Sequence, residues 1–437
     1  MKKIYLLAFT ALASISALKA QSPCAGGRYS SDTFAAFTTS TGVVYGSNTK
    51  ANGQIQSLTM DIYQPDGDTE TKRPLIIWAH GGSFIGGTSA DGDVTALSKA
   101  FAKKGFVCAS INYRLGLTPF DSTGAIKAVL RAVQDMKASI RFFYKDKLTN
   151  DVYKIDTTNI FIGGSSAGAI TALHTEYLDK SCEVNYYITP TNLAALGGMD
   201  GYSGNQCYSQ KVKGVINLCG ALGRYGWLEP GDVPVCSMHG TIDGTVKYNR
   251  GVVNPGVPLI LLDGSRMIKE QANAIGITNP FYTWYGKDHV PYASSTQYMD
   301  STINFVRDFL VSQLGCSDAP LLLPNTPAQT ATLYSYTTCT TNVAMACSQV
   351  GVREYEAVSL LQSIYPNPSV DAVKLVFENA NSKHTIQLTD ISGKVIKTES
   401  SDKAEYILEK NNIAPGIYFL KVSNGSGQSS THKIIFN

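Results

Sequence analysis

Almost no charge is left over in this chain. Its 37 Lys and Arg against 34 Asp and Glu give a formal net charge of +3 over 437 residues, without a block of either sign. Such a balance offers no electrostatic footprint for nucleic acid, so no nucleic-acid partner is expected. HExxH, paired CxxC and glycine-rich dinucleotide fingerprints are also missing, so neither a metal nor a nucleotide cofactor is expected. Long apolar runs are absent apart from one at the start, where Lys2-Lys3 precedes Ile4 to Leu18 and then Lys19-Ala20-Gln21. That run falls short of the roughly 20 residues of a membrane-spanning helix. Its paired lysines and lack of acids read as a secretory signal peptide over residues 1–20, cleaved after Ala20, with no transmembrane segment left behind it. Cys24 is not preceded by the apolar and small residues of a lipid-attachment site.

What the chain does contain is Phe161-Ile-Gly-Gly-Ser-Ser-Ala-Gly168, an apolar strand running into G-x-S-x-G over Gly164 to Gly168. A turn from strand to helix this tight needs small residues around the serine, whose Oγ then stands clear at the helix N-terminus. Ser166 is the candidate nucleophile; a motif centred on Ser165 would need glycine at Ala167. Upstream, Arg73-Pro-Leu-Ile-Ile-Trp-Ala-His-Gly-Gly-Ser-Phe84 reads as a buried strand entering a glycine turn. Rigid backbone N–H groups in such a turn meet the negative charge of a tetrahedral intermediate without reorganising. Gly82 and Ser83 are the expected oxyanion donors, with the N–H of Ala167 as a third.

A serine hydroxyl needs a histidine to take its proton, and the histidine needs a carboxylate to fix its tautomer. Histidine is scarce enough here, at six residues, for elimination to work. His80 belongs to the glycine turn, His174 packs on the helix after Ser166, His239 ends a strand, and His384 and His432 lie in the C-terminal region. His289 alone follows a strand at the appropriate end of the domain. Asp243, in the loop after Val233-Pro-Val-Cys-Ser-Met-His-Gly240, is the expected acid. Asp288 competes, but adjoins His289 in sequence and would have to turn back onto that ring.

The order Ser166, Asp243, His289 is that of an α/β-hydrolase. From about Thr59 to about Leu314 the chain resembles α/β-hydrolases of the carboxylesterase and hormone-sensitive-lipase type. The likeness lies in His80-Gly-Gly-Ser-Phe84, Ile111-Asn-Tyr-Arg-Leu115, Gly164-Ser-Ser-Ala-Gly168, His239-Gly-Thr-Ile-Asp243 and the His289 loop. Where many relatives carry a third glycine this chain has Ser83. The resemblance implies hydrolysis of an ester, whether a plant-wall acetyl or feruloyl group, a lipid or a polyester.

Apolar strands expected near 74–79, 106–113, 158–162, 213–219, 233–238, 258–262 and 280–285 alternate with helical patterns such as Ala125 to Phe143. That rhythm argues for an α/β fold, a mostly parallel sheet covered by helices on both faces. The catalytic domain is expected over 21–315, with a linker over 316–360. An insertion at about 177–211 carries Tyr186, Tyr187, Tyr202 and Tyr208, which either line a substrate groove or pack on one another. Trp227 is a candidate wall of the site. Cys182 and Cys207 are the expected disulfide, with Cys339 and Cys347 second, while Cys108, Cys219 and Cys236 sit in core strands as small apolar residues.

From residue 361 to 437 short alternating strands predict a small β-sandwich. With Tyr365-Pro-Asn-Pro368, Pro415-Gly-Ile-Tyr-Phe-Leu-Lys-Val422 and a basic, apolar end, this module resembles the type A C-terminal sorting domain of the type IX secretion system. That likeness implies export machinery as a partner and a final place at the cell surface or in the medium; a carbohydrate-binding sandwich is the alternative. The whole reads as a secreted serine carboxylic ester hydrolase. An inactive hydrolase-fold adhesion module and a serine peptidase of the same triad order are its rivals.

Overall fold

The structure, a computed structural model, describes residues 24–328, 330–335, 360–378, 382–391, 393–425 and 429–437. The expected signal peptide, Cys339 and Cys347 lie outside the described residues. Two compact units divide at residue 350.

The first unit runs β1 (Phe37–Thr49), β2 (Ile55–Pro65), β3 (Arg73–Ala79), α1 (Gly92–Lys103), β4 (Val107–Ile111), α2 (Ser122–Leu148), β5 (Ile155–Ser165) and α3 (Ala167–Tyr177). It continues through α4 (Ser181–Val184), α5 (Pro190–Ala195), β6 (Gly214–Leu218), β7 (Ala221–Leu222), β8 (Val235–Gly240), β9 (Arg250–Val253), β10 (Ile260–Gly264), α6 (Ser265–Ile275), β11 (Phe281–Trp284) and α7 (Thr296–Gln313). Eight strands form one sheet in the order β1-β2-β4-β3-β5-β6-β8-β11. It is parallel from β4 to β11, with β1 and β2 antiparallel at one edge.

Strand β3 shows why both faces must be covered. All seven of its residues are buried, and after Arg73 at its start it is apolar without alternation. Leu75, Ile77 and Ala79 pack into one core cluster with α2 and α3, and Ile76 and Trp78 into another with α1 and α7. Asp121 starts α2 by accepting the N–H of Gly124 at 2.9 Å. One expectation fails here: the 258–262 strand, β10, is not in the main sheet. It pairs antiparallel with β7 and β9, because the polar Asp263 is tied to Tyr225 N–H, Arg250 and Tyr334 outside the parallel core.

The insertion lies largely on α2. Buried Asp135 pairs with Arg114 and accepts Ser203 Oγ–H at 2.5 Å, and Gln134 donates to the carbonyls of Leu196 and Gly198. Arg141, also buried, reaches the carbonyls of Asp200 and Gly204. This polar strip on an otherwise apolar helix is what a covering loop needs if its backbone is not to be stranded.

Cysteine pairing departs from expectation. The disulfide between two described cysteines is Cys24–Cys316, which joins segments 292 residues apart on either side of the sheet's sequence. Cys182 and Cys207 are both oxidised, but they are not bonded to each other. Each end of the insertion has its own anchor: Lys180 bonds Glu229 near Cys182, whereas Asn205, two residues before Cys207, bonds Tyr45 O on the opposite edge strand. Cys108, Cys219 and Cys236 are free and buried, as expected.

The start of the expected linker is likewise not free of the first unit. Asp308 accepts the N–H groups of Leu321 and Leu322 at 2.8 Å. Asn325 accepts Thr283 N–H at 2.6 Å, donates to Thr283 O at 3.0 Å and gives its own N–H to Phe281 O. Tyr334 donates to Asp263 Oδ2 at 2.6 Å. Among the described residues no helix is long and apolar enough to cross a membrane.

The second unit has β12 (Leu361–Tyr365), β13 (Ala372–Phe377), β14 (His384–Asp390), β15 (Val395–Ser401), β16 (Glu405–Glu409), β17 (Gly416–Asn424) and β18 (Ser429–Phe436). They form an antiparallel three-stranded sheet, β12-β13-β16, and a four-stranded one, β15-β14-β17-β18. Alternate residues of each, such as Val373 and Leu375 from the first and Leu420 and Val422 from the second, share one buried cluster. This is the expected sandwich.

Candidate active site

Four loops at the carboxyl ends of parallel strands meet at one point, where an open α/β sheet places its chemistry. After β5 the chain turns at Ser166, with φ 55° and ψ −116°, straight into α3. The flanking glycines follow from contact, since a Cβ on Gly168 would lie 2.0 Å from Ala79 O and one on Gly164 2.3 Å from the carbonyl carbon of Gly168. Ser166 Oγ is 2.7 Å from His289 Nε2, and His289 Nδ1 is 2.7 Å from Asp243 Oδ2. The three residues picked from sequence therefore stand in one hydrogen-bonded row. Ser165 does not compete: its hydroxyl is buried against Tyr292 Oη at 2.7 Å.

Asp243 is wholly buried at its side chain. Its Oδ1 accepts the N–H groups of Thr245 and Val246 at 2.9 and 2.8 Å. Burial pushes this carboxyl up, but the hydrogen bonds of His239 and His289 outweigh it and hold the group well below the usual carboxylate range. Asp288 serves elsewhere: its Oδ1 accepts Gly244 N–H at 2.8 Å and His289 N–H at 2.7 Å, tying the acid loop to the histidine loop. Its adjacency to His289 argues against it as the acid, and the carboxylate does turn back, but onto backbone and not onto the ring.

His239 is the participant that sequence reasoning passed over. It is fully buried, with Nε2 3.1 Å from Asp243 Oδ2 and 2.9 Å from Val246 O, and Nδ1 2.7 Å from Ser265 Oγ. Two acceptors at Nε2 place a hydrogen there, while the Ser265 hydroxyl at Nδ1 also reaches Gly220 O at 3.2 Å. The four-residue spacing of His239 and Asp243 was its signal.

The turn after β3 brings Gly82 (φ 98°), Ser83 (φ 55°) and Phe84 (φ 62°) beside the serine. A Cβ on Gly82 would lie 2.2 Å from Gly86 O, so the turn closes tightly enough to require glycine there. Gly82, Ser83 and Ser166 line an open cleft with His289, and Ser83, Ser166 and Ala167 line a pocket leading inward. Ala167 is the first residue of α3, where an N–H has no acceptor within the helix.

Trp227 stands one step back from its expected place. Its ring lies under Gly223, whose Cβ would come within 2.2 Å of it, and packs edge-on against His174 and Tyr187. It lines a second cavity rather than the one containing Ser166, because the short turn Tyr225–Trp227 directs the side chain at α3 behind the elbow. His174 is a packed residue, as expected: Nδ1 bonds Ile170 O at 2.8 Å and Nε2 accepts Gly223 N–H at 3.1 Å.

Among the described residues the one cluster with metal-ligand atoms in reach is Cys219, Asp243 and His289. There the Asp243 and His289 atoms face each other, and burial pushes the Cys219 thiol well up, away from the thiolate a metal would need.

A mostly parallel sheet with a serine on the strand–helix turn after its central strand defines the α/β-hydrolase class. Within it, residues 60–222 match the BD-FAE family, a stretch that holds Gly82, Ser83, Ser166 and Ala167 and stops before Asp243. Residues 363–437 match the secretion system C-terminal sorting domain, which marks the chain for type IX export to the cell surface or the medium. The chain is 43% identical over 68 residues to carboxylesterase 3B of Mus musculus, covering 15% of this chain and 11% of that one. It is 27% identical over 161 residues to lipase 1 of Geotrichum candidum, covering 36% and 25%. The chain thus spans a quarter or less of the length of these two relatives. A solved structure of Thermogutta terrifontis esterase 2 with propionate bound is 19% identical, with a TM-score of 0.47 over 65% of this chain and 97% of that one.

Proposed function

We propose that the first unit is a serine carboxylic ester hydrolase working through an acyl-enzyme. The observation that carries this is the row Ser166 Oγ, His289, Asp243 with two 2.7 Å links. His289 Nε2 takes the Ser166 proton as Oγ attacks the ester carbonyl carbon, while Asp243 holds Nδ1–H and stabilises the imidazolium. The carbonyl electrons move to oxygen, which meets the N–H groups of Ser83 and Ala167, with Gly82 shaping the turn or adding a third donor. Collapse expels the alkoxide, which receives the proton from His289 and leaves as the alcohol. Water then gives a proton to His289 and its oxygen to the acyl carbon, releasing the acid and restoring Ser166. The second unit supports export rather than chemistry, with the secretion machinery as its partner.

A fluorophosphonate probe tests the mechanism. One equivalent should attach to the peptide bearing Ser166 and abolish hydrolysis of p-nitrophenyl butyrate. Full activity after stoichiometric labelling elsewhere would overturn it.

A further inference from the structure

Two spaces open at Ser166, and they differ widely in size. The outer cleft, which His289 lines, leaves about 510 Å³ for the centres of water-sized groups. The inner chamber starts at Ser83, Ser166 and Ala167, does not include His289 in its lining, and leaves about 40 Å³ on the same measure. One water takes about 10–15 Å³ counted in this way, so the chamber holds about three heavy atoms. Its remaining walls are apolar except at Thr245.

A separate space, also of about 40 Å³, lies against His174 and Trp227. Four residues line both: Ala125 and Val129 of α2, and Ile260 and Leu262 of β10. These four are therefore the partition between the two. Ala125 and Val129 are four apart on a helix, and Ile260 and Leu262 two apart on a strand, so each pair presents a single face. Val129, Ile260 and Leu262 pack in one apolar cluster. Their strand is the one that Asp263 draws out of the main sheet, and that displacement brings Ile260 and Leu262 to the chamber wall.

Reaction geometry assigns the two spaces at the serine. The leaving oxygen collects its proton from His289 Nε2, so the alcohol half lies in the outer cleft. The carbonyl oxygen points at the N–H groups of Ser83 and Ala167, and both residues line the chamber, so the substituent on the acyl carbon enters the chamber. An acyl chain longer than the chamber must push the partition aside, and extra methylenes forced into a filled apolar site strain its walls.

We infer that the acid half of the substrate is a short acyl group of about two to four carbons, its length limited by Val129, Ile260 and Leu262, while the larger half of the ester is the alcohol in the outer cleft. This rests on the ester hydrolase reading above. With p-nitrophenyl esters and the purified full chain, kcat/KM for acetate, propanoate and butyrate should lie within about tenfold of one another, and hexanoate should fall at least about tenfold below butyrate. Methyl butyrate should likewise outrun methyl ferulate, whose aromatic acid exceeds the chamber. Leu262→Ala and Val129→Ala thin the partition from opposite sides and should each raise the hexanoate-to-butyrate ratio at least about tenfold. Val184→Ala, which enlarges only the farther space, should leave that ratio where it is. Hexanoate matching butyrate in the unaltered protein, or methyl ferulate outrunning methyl butyrate, would overturn the limit whether or not the variants fold. With circular dichroism showing them folded, a ratio unmoved by both partition substitutions, or moved as far by Val184→Ala, would take the limit away from these residues. An enzyme that cleaves acetate esters but gives any of these results leaves the mechanism standing; one that cleaves no ester and takes up no fluorophosphonate at Ser166 fails the mechanism itself.

Discussion

His239 Nε2 and His289 Nδ1 converge on one atom, Asp243 Oδ2, at 3.1 and 2.7 Å. The first imidazole is held from behind by Ser265 and never reaches Ser166, so it acts on the acid alone. Losing a hydrogen bond to a charged group costs about 1.5–3 kcal/mol, so His239→Ala should lower kcat about tenfold to a hundredfold. KM should barely change. Steady-state kinetics on p-nitrophenyl butyrate, with circular dichroism to confirm folding, checks this.

Ser166→Ala should remove several orders of magnitude of turnover and leave the fold intact. Ser165→Ala breaks only the buried contact with Tyr292 and should cost about 1 kcal/mol of stability with a mild effect on rate. Reversed effects would move the nucleophile.

Helix α3 carries a titration that stability should report. Burial drives His174 down to about 4, against its bond to Ile170 O. The unfolded chain, with an ordinary histidine near 6.5, then binds more protons than the fold between those two values. Stability should therefore be lost as pH falls from 6.5 to 4, by about 3 kcal/mol from this residue. Glu176, pushed up to about 8 by burial and then by Asp232, works in the opposite sense and loses stability as pH rises toward 8. Urea midpoints at pH 4, 6.5 and 9 should separate them. Between about 4.5 and 6.5 the two oppose each other, so His174→Gln should leave stability falling with rising pH there, whereas Glu176→Gln should leave it rising up to 6.5 and remove the decline from 6.5 to 8.

The Cys24–Cys316 link closes a loop of 292 residues in sequence separation, and removing such a constraint typically costs about 2–5 kcal/mol. Non-reducing peptide mapping should recover the two peptides joined. Cys24→Ser should melt at a lower temperature than the parent under oxidising conditions and match it in reductant. A map showing both thiols free to alkylation would sink the pairing.

Truncation before residue 361 should leave kcat/KM on soluble esters unchanged, since Ser166, Asp243 and His289 all precede it and the second unit has its own buried core. Export should be abolished. Cell fractionation together with assays of the purified truncated protein reads both.

Much of this site was legible because its chemistry forces local sequence. The Gly164 and Gly168 positions admit no side chain, and few histidines were available to serve Ser166. Strands such as β3 announced themselves by unbroken apolarity. What stayed hidden depends on contacts between distant segments. The four-residue spacing of His239 and Asp243 was the one local sign of a second donor and is too common to stand alone, and Cys24 gives no hint of Cys316. β10 has the apolar pattern of a core strand, yet Asp263 at its end draws it into a different sheet. Trp227 was right in neighbourhood and wrong in depth, because a short turn decides which side of α3 it meets.

Asn325 has a consequence for how copies of the protein behave together. Its side-chain amide satisfies both backbone groups of Thr283 on β11, the last strand of the sheet. An uncovered strand edge is a template for a neighbouring chain to pair with and seeds aggregation. With those two positions taken, a second copy finds no free backbone group at Thr283 to pair with.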